Sequence, residues 1–346
     1  METLKNYLFE LCADSAPSGR EDLLHSLSRL VRPLADKVYT DASGNLVAVK
    51  YCNIPGAGKI LIDAHADEVA LVVTDVDDNG FVHFANHAGI DCKVLPAATV
   101  TVLGKRPLAG VVATMPPHLL KDADTDKPVK MKDSVIDIGY DVRTARELVR
   151  VGDLISLRSN TAELLNNRVM GGSLDNRASV AVLIDVMSKL KSTHRAHSDV
   201  YFVFSAGEEF GGYGAAAAAF DIAPDEAIVL DVTFGVSPYT NKQKGKDLGS
   251  GAAIGLSPML DTHNTEKMID TAKARNIPYT LEIMNGRTGT NADGIVISRD
   301  GVPTTLVSIP LRYMHSPSEV VCLEDMQSVS RLVMSYIEYR GGARFE

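Results

Sequence analysis

The stretch VYFVFSAGEEFGGYGAAAAAF, residues 200–220, decides how the chain is read. Val200–Ser205 is a short apolar run rich in β-branched and aromatic residues, and it predicts a buried strand. The alanines at 215–219 are strong helix formers and predict a packed helix soon after it. Between the two lie Glu208 and Glu209, adjacent carboxylates set among glycines and aromatics rather than in a charged surface run. Strand, acidic turn and helix form the repeating unit of an α/β sheet, whose ligand sites lie at the carboxyl ends of strands. Neighbours on an extended chain point to opposite sides, so the two glutamates are expected to divide two jobs.

The same rhythm extends outward. A helix pattern over about Arg177 to Leu190 precedes the strand. Strand patterns follow at Ala227–Leu230, Tyr279–Ile283 and Thr304–Ile309, with helices over Thr265–Ala274 and Glu324–Tyr339. Upstream, Leu46–Lys50 and Lys59–Asp63 read as strands. Ser18 and Glu21 have capping-box spacing for a helix carrying Leu23, Leu24, Leu27, Leu30 and Val31. Residues 70–165 differ: short β-like runs alternate with turns such as DDNG and GKRP, and the only helix signal lies around Thr144–Val149. The expectation is a mixed, mostly parallel sheet covered by helices, formed by 1–69 and 166–346 and interrupted by a small β-rich insert at 70–165.

Composition narrows the function. With 346 residues, 45% hydrophobic and 23% charged, the chain has an ordinary globular profile. A net charge of −9 makes it a poor partner for nucleic acid or an anionic membrane surface. Cys12, Cys52, Cys92 and Cys322 form no C-x-x-C pair, as expected for free thiols in a reducing compartment. METLKNYLFELC spaces its leucines as a helix and lacks the basic start of a signal peptide, and no apolar run reaches membrane-spanning length. A cytoplasmic location is expected.

Acidic and histidine residues gather at the strand ends. His65 and Asp67 follow the second strand, Asp175 precedes a helix, Glu208 and Glu209 follow Ser205, Asp231 follows Leu230, and His315 comes shortly after Leu311. Taken singly, such residues are more often caps or hydrogen-bonded core groups than ligands. As a set they are not, because an apolar strand ends in buried charge only where that charge is paired or metal-bound. Imidazoles mixed with carboxylates suit Zn²⁺, Co²⁺ or Mn²⁺ better than Ca²⁺. The His-x-Asp spacing fits Asp67 as the group that orients the His65 ring.

In order and spacing, HADE (65–68), GGSLDNR (171–177), SAGEEFGGYGA (205–215), LDVT (230–233), GTNADGI (289–295) and PLRYMHSPSE (310–319) resemble the M42 family of metallo-aminopeptidases. The resemblance covers almost the whole chain. It implies two divalent ions per subunit, one held by His65, Asp175 and Asp231, the other by Asp175, Glu209 and His315. It also implies Glu208 as general base, with a hydroxide bridging the metals as nucleophile and peptides as substrates. The insert would match the family's PDZ-like dimerisation domain, with dimers assembling into dodecamers. Asn291 departs from the family, which has Asp there, near where the substrate end of the pocket is expected. Arg287, Arg312 and Tyr239 are further pocket candidates, whereas His83 and His87, in the insert, are expected to serve a surface or interface. Two other readings exist, a glycoside hydrolase and a non-catalytic scaffold. The first would leave the histidines without a role, and without tryptophan the chain has few platforms for stacking sugars.

Overall fold

The computed structural model describes residues 1–116, 129–193, 196–238, 240 and 245–339, so His118, His194 and Tyr239 lie outside the described residues. The chain opens with α1 (Glu2–Leu11) and α2 (His25–Val31), then β1 (Lys37–Thr40), β2 (Leu46–Lys50) and β3 (Lys59–His65). Next come β4 (Ala70–Val76), β5 (Val82–His87), β6 (Thr99–Leu103), β7 (Pro107–Thr114), β8 (Ser134–Asp137), α3 (Val142–Leu148) and β9 (Leu154–Leu157). β10 (Ala162–Leu164), β11 (Arg168–Gly171), α4 (Leu174–Thr193), β12 (Asp199–Ser205), α5 (Tyr213–Ile222) and β13 (Glu226–Phe234) follow. The chain closes with β14 (Ala252–Leu256), α6 (Thr262–Ala274), β15 (Tyr279–Ile283), α7 (Ala292–Ile295), β16 (Thr304–Arg312), β17 (Glu319–Cys322) and α8 (Leu323–Tyr339).

The large sheet runs β1-β2-β12-β3-β13-β16-β17-β11-β10, with β14 and β15 branching from β16. Parallel pairing is confined to β12-β3-β13-β16 and to β14-β15. The sheet is therefore mixed rather than mostly parallel. Its flanks are antiparallel because short connections such as β1–β2 and β10–β11 permit only hairpin geometry. The central strands β3 and β13 are almost wholly buried and mostly apolar, since both faces are covered. On β3, Ile60 and Ile62 pack towards α1, α4 and α8, while Leu61 packs towards α5 and α7. Register aligns the strand ends: Ser205 lies opposite His65, and Val229 opposite Asp63, which sets Asp231 level with His65.

Strands β4-β5-β8-β7-β6-β9 close a separate barrel with its own core, including Leu71, Val82, Val102, Ile136 and Ile155. β8 carries no turn or alternation signal strong enough to be read from sequence. The helix expected from the Ser18–Glu21 spacing starts later, as α2, after a single 3₁₀ turn over Glu21–Leu23. The Ser18 hydroxyl is taken by Asp67, so no capping box forms.

Candidate metal centre

The candidates converge on the centre from five places in the chain. His65 ends β3, and Asp67 lies two residues on. Asp175 sits in the first turn of α4, where the backbone leaves helical geometry (φ −81°, ψ 101°). Asp231 lies inside β13, which runs four residues further than its apolar run predicts, and His315 follows β16 with φ +61°. Glu208 and Glu209 are not on an extended chain. They occupy a tight turn closed by Gly211 N–H donating to the Glu208 carbonyl at 3.0 Å. Gly207, at φ +67°, enters that turn where a Cβ would overlap the Tyr213 ring. Both carboxylates therefore face the same cluster, and the expected alternation is not what separates them. Each meets a different histidine: Glu208 Oε2 lies 4.0 Å from His65 Nε2, and Glu209 Oε1 lies 3.4 Å from His315 Nε2.

Asp175 stands between the two histidines. Its Oδ1 is 3.1 Å from His65 Nε2 and its Oδ2 is 3.4 Å from His315 Nε2. Three groupings have donor atoms within 4.8 Å of one another: His65–Asp175–Asp231, Asp175–Glu209–His315 and His65–Glu208–Glu209. Titration behaviour follows from crowding acids in a buried site. Burial pushes Glu208 up to about 7, opposed by His65 and reinforced by Glu209, Asp175 and Asp67. Burial likewise raises Glu209 and holds Asp231 well above the usual carboxylate range. For His315 burial acts downward, but the Asp175 and Glu209 carboxylates outweigh it and carry the ring up to about 11. His65 is raised for the same reason by Asp175 and Asp67. Burial would raise Asp175, and bonds to His315 and His65 reverse that, so it titrates well below normal. Carboxylates this close need positive charge among them, and among the described residues the pocket lining contains no Lys or Arg. The donor set, imidazole nitrogen with carboxylate oxygen, fits divalent cations of the zinc type.

The supports of this cluster are mostly buried acids. Asp67 accepts the backbone N–H groups of Glu208 and Glu209 at 3.0 and 3.1 Å and the Ser18 hydroxyl at 2.5 Å. It also lies beside His65 Nδ1, which is 3.2 Å from its carbonyl and 3.5 Å from its Oδ1. Glu319, absent from the sequence-derived set, accepts the N–H of Asp175 at 3.0 Å and that of His315 at 2.8 Å. One side chain thus holds the backbones of two candidate ligands. Its place in PLRYMHSPSE is the only sequence signal for it. Glu68 links the Ser156 hydroxyl of β9 with that of Ser173, just before Asp175.

Asn291 is not at the substrate end. It is buried beneath the site, donating to Asp63 Oδ2 at 2.8 Å and Ser205 Oγ at 2.9 Å, so its partner is a core carboxylate rather than a ligand. Arg312 turns away to the Val236 carbonyl at 2.6 Å, and neither it nor Arg287 lines the cavity. That cavity, about 280 Å³, opens beside the cluster. Phe234, Met284, Leu306 and Met314 form an apolar wall, and Glu282 accepts a hydrogen bond from Thr233 at its edge.

Residues 44–332 match the model of a family described as M42 glutamyl aminopeptidase. The chain belongs to that family. It is accordingly a peptide hydrolase of the aminopeptidase type, from a metal-dependent family. The lysyl aminopeptidase of Pyrococcus furiosus is 30% identical over 315 residues, 89% of either chain. Aminopeptidase APDkam598 of the archaeon Desulfurococcus kamchatkensis superposes with a TM-score of 0.89 at 32% identity, covering 97% of this chain and 95% of its own. The TET1 peptidase of Pyrococcus horikoshii, which assembles into a tetrahedron or a large octahedral shell, gives 0.84 at 28% identity, with 96% and 98% covered. Among the described residues no helix is long and apolar enough to cross a membrane.

Proposed function

We propose that this M42 member is a di-metal aminopeptidase that removes the N-terminal residue from short peptides. The observation that carries the reading is Asp175, whose two carboxylate oxygens face His65 and His315 separately. His65, Asp175 and Asp231 would hold one ion, and Asp175, Glu209 and His315 the other, with Zn²⁺ or Co²⁺ preferred and Mn²⁺ a third candidate. When bound, such ions polarise the scissile carbonyl and make water acidic enough to attack near neutral pH. The chain's own residues do the rest. The apolar wall beside the cluster receives the side chain of the N-terminal residue. Glu208 takes a proton from the attacking water and delivers it to the leaving nitrogen, a role supported by a pKa pushed towards the working pH. Asp67 keeps the His65 ring and the Glu208–Glu209 turn in register. Glu208 also falls within one donor grouping, with donor atoms within 4.8 Å, but that grouping leaves out Asp175 and Asp231. The pairing that shares Asp175 uses all five other donors.

We read the β-rich insert of 70–165 as a PDZ-like dimerisation domain and 1–69 with 166–346 as the catalytic domain, a division supported by the separate barrel core, although β10 (Ala162–Leu164) already pairs in the large sheet. Assembly of dimers into a dodecamer is supported by a 28% identical TET1 structure with a dodecamer in its asymmetric unit. Four cysteines that pair with no other support a reducing, cytoplasmic setting. The test is a panel of aminoacyl chromogenic substrates assayed after strong chelation and after return of Zn²⁺, Co²⁺ or Mn²⁺. Activity that survives exhaustive chelation would overturn the reading.

A further inference from the structure

We propose that the turn ending β5, His87–Gly89, is a positioning element of the metal centre supplied by the barrel: Gly89 orients His315, and His87 braces the Glu208–Glu209 turn. The inference rests on the di-metal reading above.

The Gly89 carbonyl lies 2.9 Å from His315 Nδ1. A ring that donates its Nδ1 hydrogen there keeps the Nε2 lone pair free, and Nε2 is the atom that faces Asp175 and Glu209. The approach requires glycine, since a Cβ at position 89 would lie 2.9 Å from His315 Nδ1 and 3.3 Å from its Cε1. The turn is also shaped in advance. The Asn86 side chain donates to the Ile90 carbonyl at 3.1 Å and accepts the Ile90 N–H at 3.3 Å, spanning residues 87–89 and fixing where the Gly89 carbonyl points.

His87 reaches the opposite side of the centre. Its ring stacks on Phe210, centroids 4.9 Å apart and planes 18° from parallel, directly after Glu209. Its Nε2 lies 3.0 Å from the Ser18 carbonyl, and the Ser18 hydroxyl donates to Asp67, which holds the N–H groups of Glu208 and Glu209. The barrel buries its own apolar core without these contacts. They converge on the two candidate ligands His315 and Glu209.

The full-length protein is stripped of metal and titrated with Co²⁺, following d–d absorbance and heat. The wild type is expected to take up two equivalents. Gly89→Ala should weaken one equivalent by roughly tenfold or more, the range seen when a ligand's orienting partner is lost, and leave the other unchanged. Asn86→Ala, which touches neither His315 nor any donor, should weaken the same equivalent by less. His87→Ala should weaken it too and lower kcat more than it raises KM. Melting temperatures near that of the wild type accompany each of these outcomes. Wild-type affinity at both equivalents in both Gly89→Ala and Asn86→Ala sinks the inference. So does equal loss of both equivalents with a lowered melting temperature, which is general destabilisation. A wild type that binds fewer than two equivalents instead removes the di-metal reading, and this inference with it.

Discussion

At the scale of single residues, adjacent glutamates acquire different duties through what each one faces. Glu208 looks towards His65 at 4.0 Å and Glu209 towards His315 at 3.4 Å. Glu208→Gln is expected to retain metal and lose turnover by on the order of 10²–10⁴-fold, the usual worth of a general base. Glu209→Gln should lose metal first, read by elemental analysis, and equal metal loss in the two variants contradicts the division. The pair was legible from composition and place, but its geometry was not. Strand alternation was the wrong reason, because three glycines bend the chain before the first glutamate and after the second. Asn291 shows a second limit of reading one chain. Its departure from the family pattern was visible, while its partner Asp63 lies 228 positions away in sequence. Burial, opposed by bonds from Ser205 and Asn291, pushes Asp63 to about 6. Asn291→Asp would set two buried carboxyls together and force one to stay protonated, costing at least about 5 kcal/mol at pH 8. The exchange Asp63→Asn with Asn291→Asp restores one acid and one amide, so its melting temperature should recover most of the loss; an additive loss in the double variant would refute the pairing.

At the scale of elements, the centre depends on strands that bring backbone as well as side chains. The strand pattern over β3, β12 and β16 could be read because buried parallel strands are near-continuous apolar runs ending in polar residues. β17 could not, since four residues carry little periodicity, yet its first residue is Glu319. That carboxylate joins the first turn of α4 to the turn after β16 through two N–H bonds. Glu319→Ala leaves both donors unmet in a buried place, at a cost of roughly 1–3 kcal/mol each. Glu319→Gln can accept with one oxygen only and must turn an amide N–H₂ towards the other donor. Metal affinity should therefore fall in the order wild type, Gln, Ala, with the melting temperature following the same order. An alanine variant that binds metal as tightly as wild type would show that β17 merely fills space.

At the scale of the whole molecule, the cluster couples metal, protons and stability. The α/β frame and a β-rich insert were readable from composition shifts along the chain, because hydrophobic period changes where the architecture does. How the insert meets the centre was not, since a backbone carbonyl such as that of Gly89 has no sequence signature. The thermodynamic consequence follows from the direction of the shifts. Glu208 is raised from 4.5 to about 7 and His315 from 6.5 to about 11 in the folded chain. Stripped of metal, the folded protein thus binds more protons than the unfolded chain across neutral and alkaline pH. Stability gained from those protons is complete below the unfolded values and is lost as pH rises through the folded ones. Asp175 shifts the other way, but its contribution is already full above pH 4 and does not change in this window. A bound cation replaces the protons, and its affinity grows as they leave. The melting temperature of the stripped protein is accordingly expected to fall between pH 6 and pH 9. Added Zn²⁺ or Co²⁺ should raise it at both values and raise it more at pH 9, where fewer protons remain on the donors to be displaced. Calorimetric scans at the two pH values, with and without metal, measure both differences. A stripped protein more stable at pH 9 than at pH 6 would mean that the carboxylates and histidines do not face one another as described.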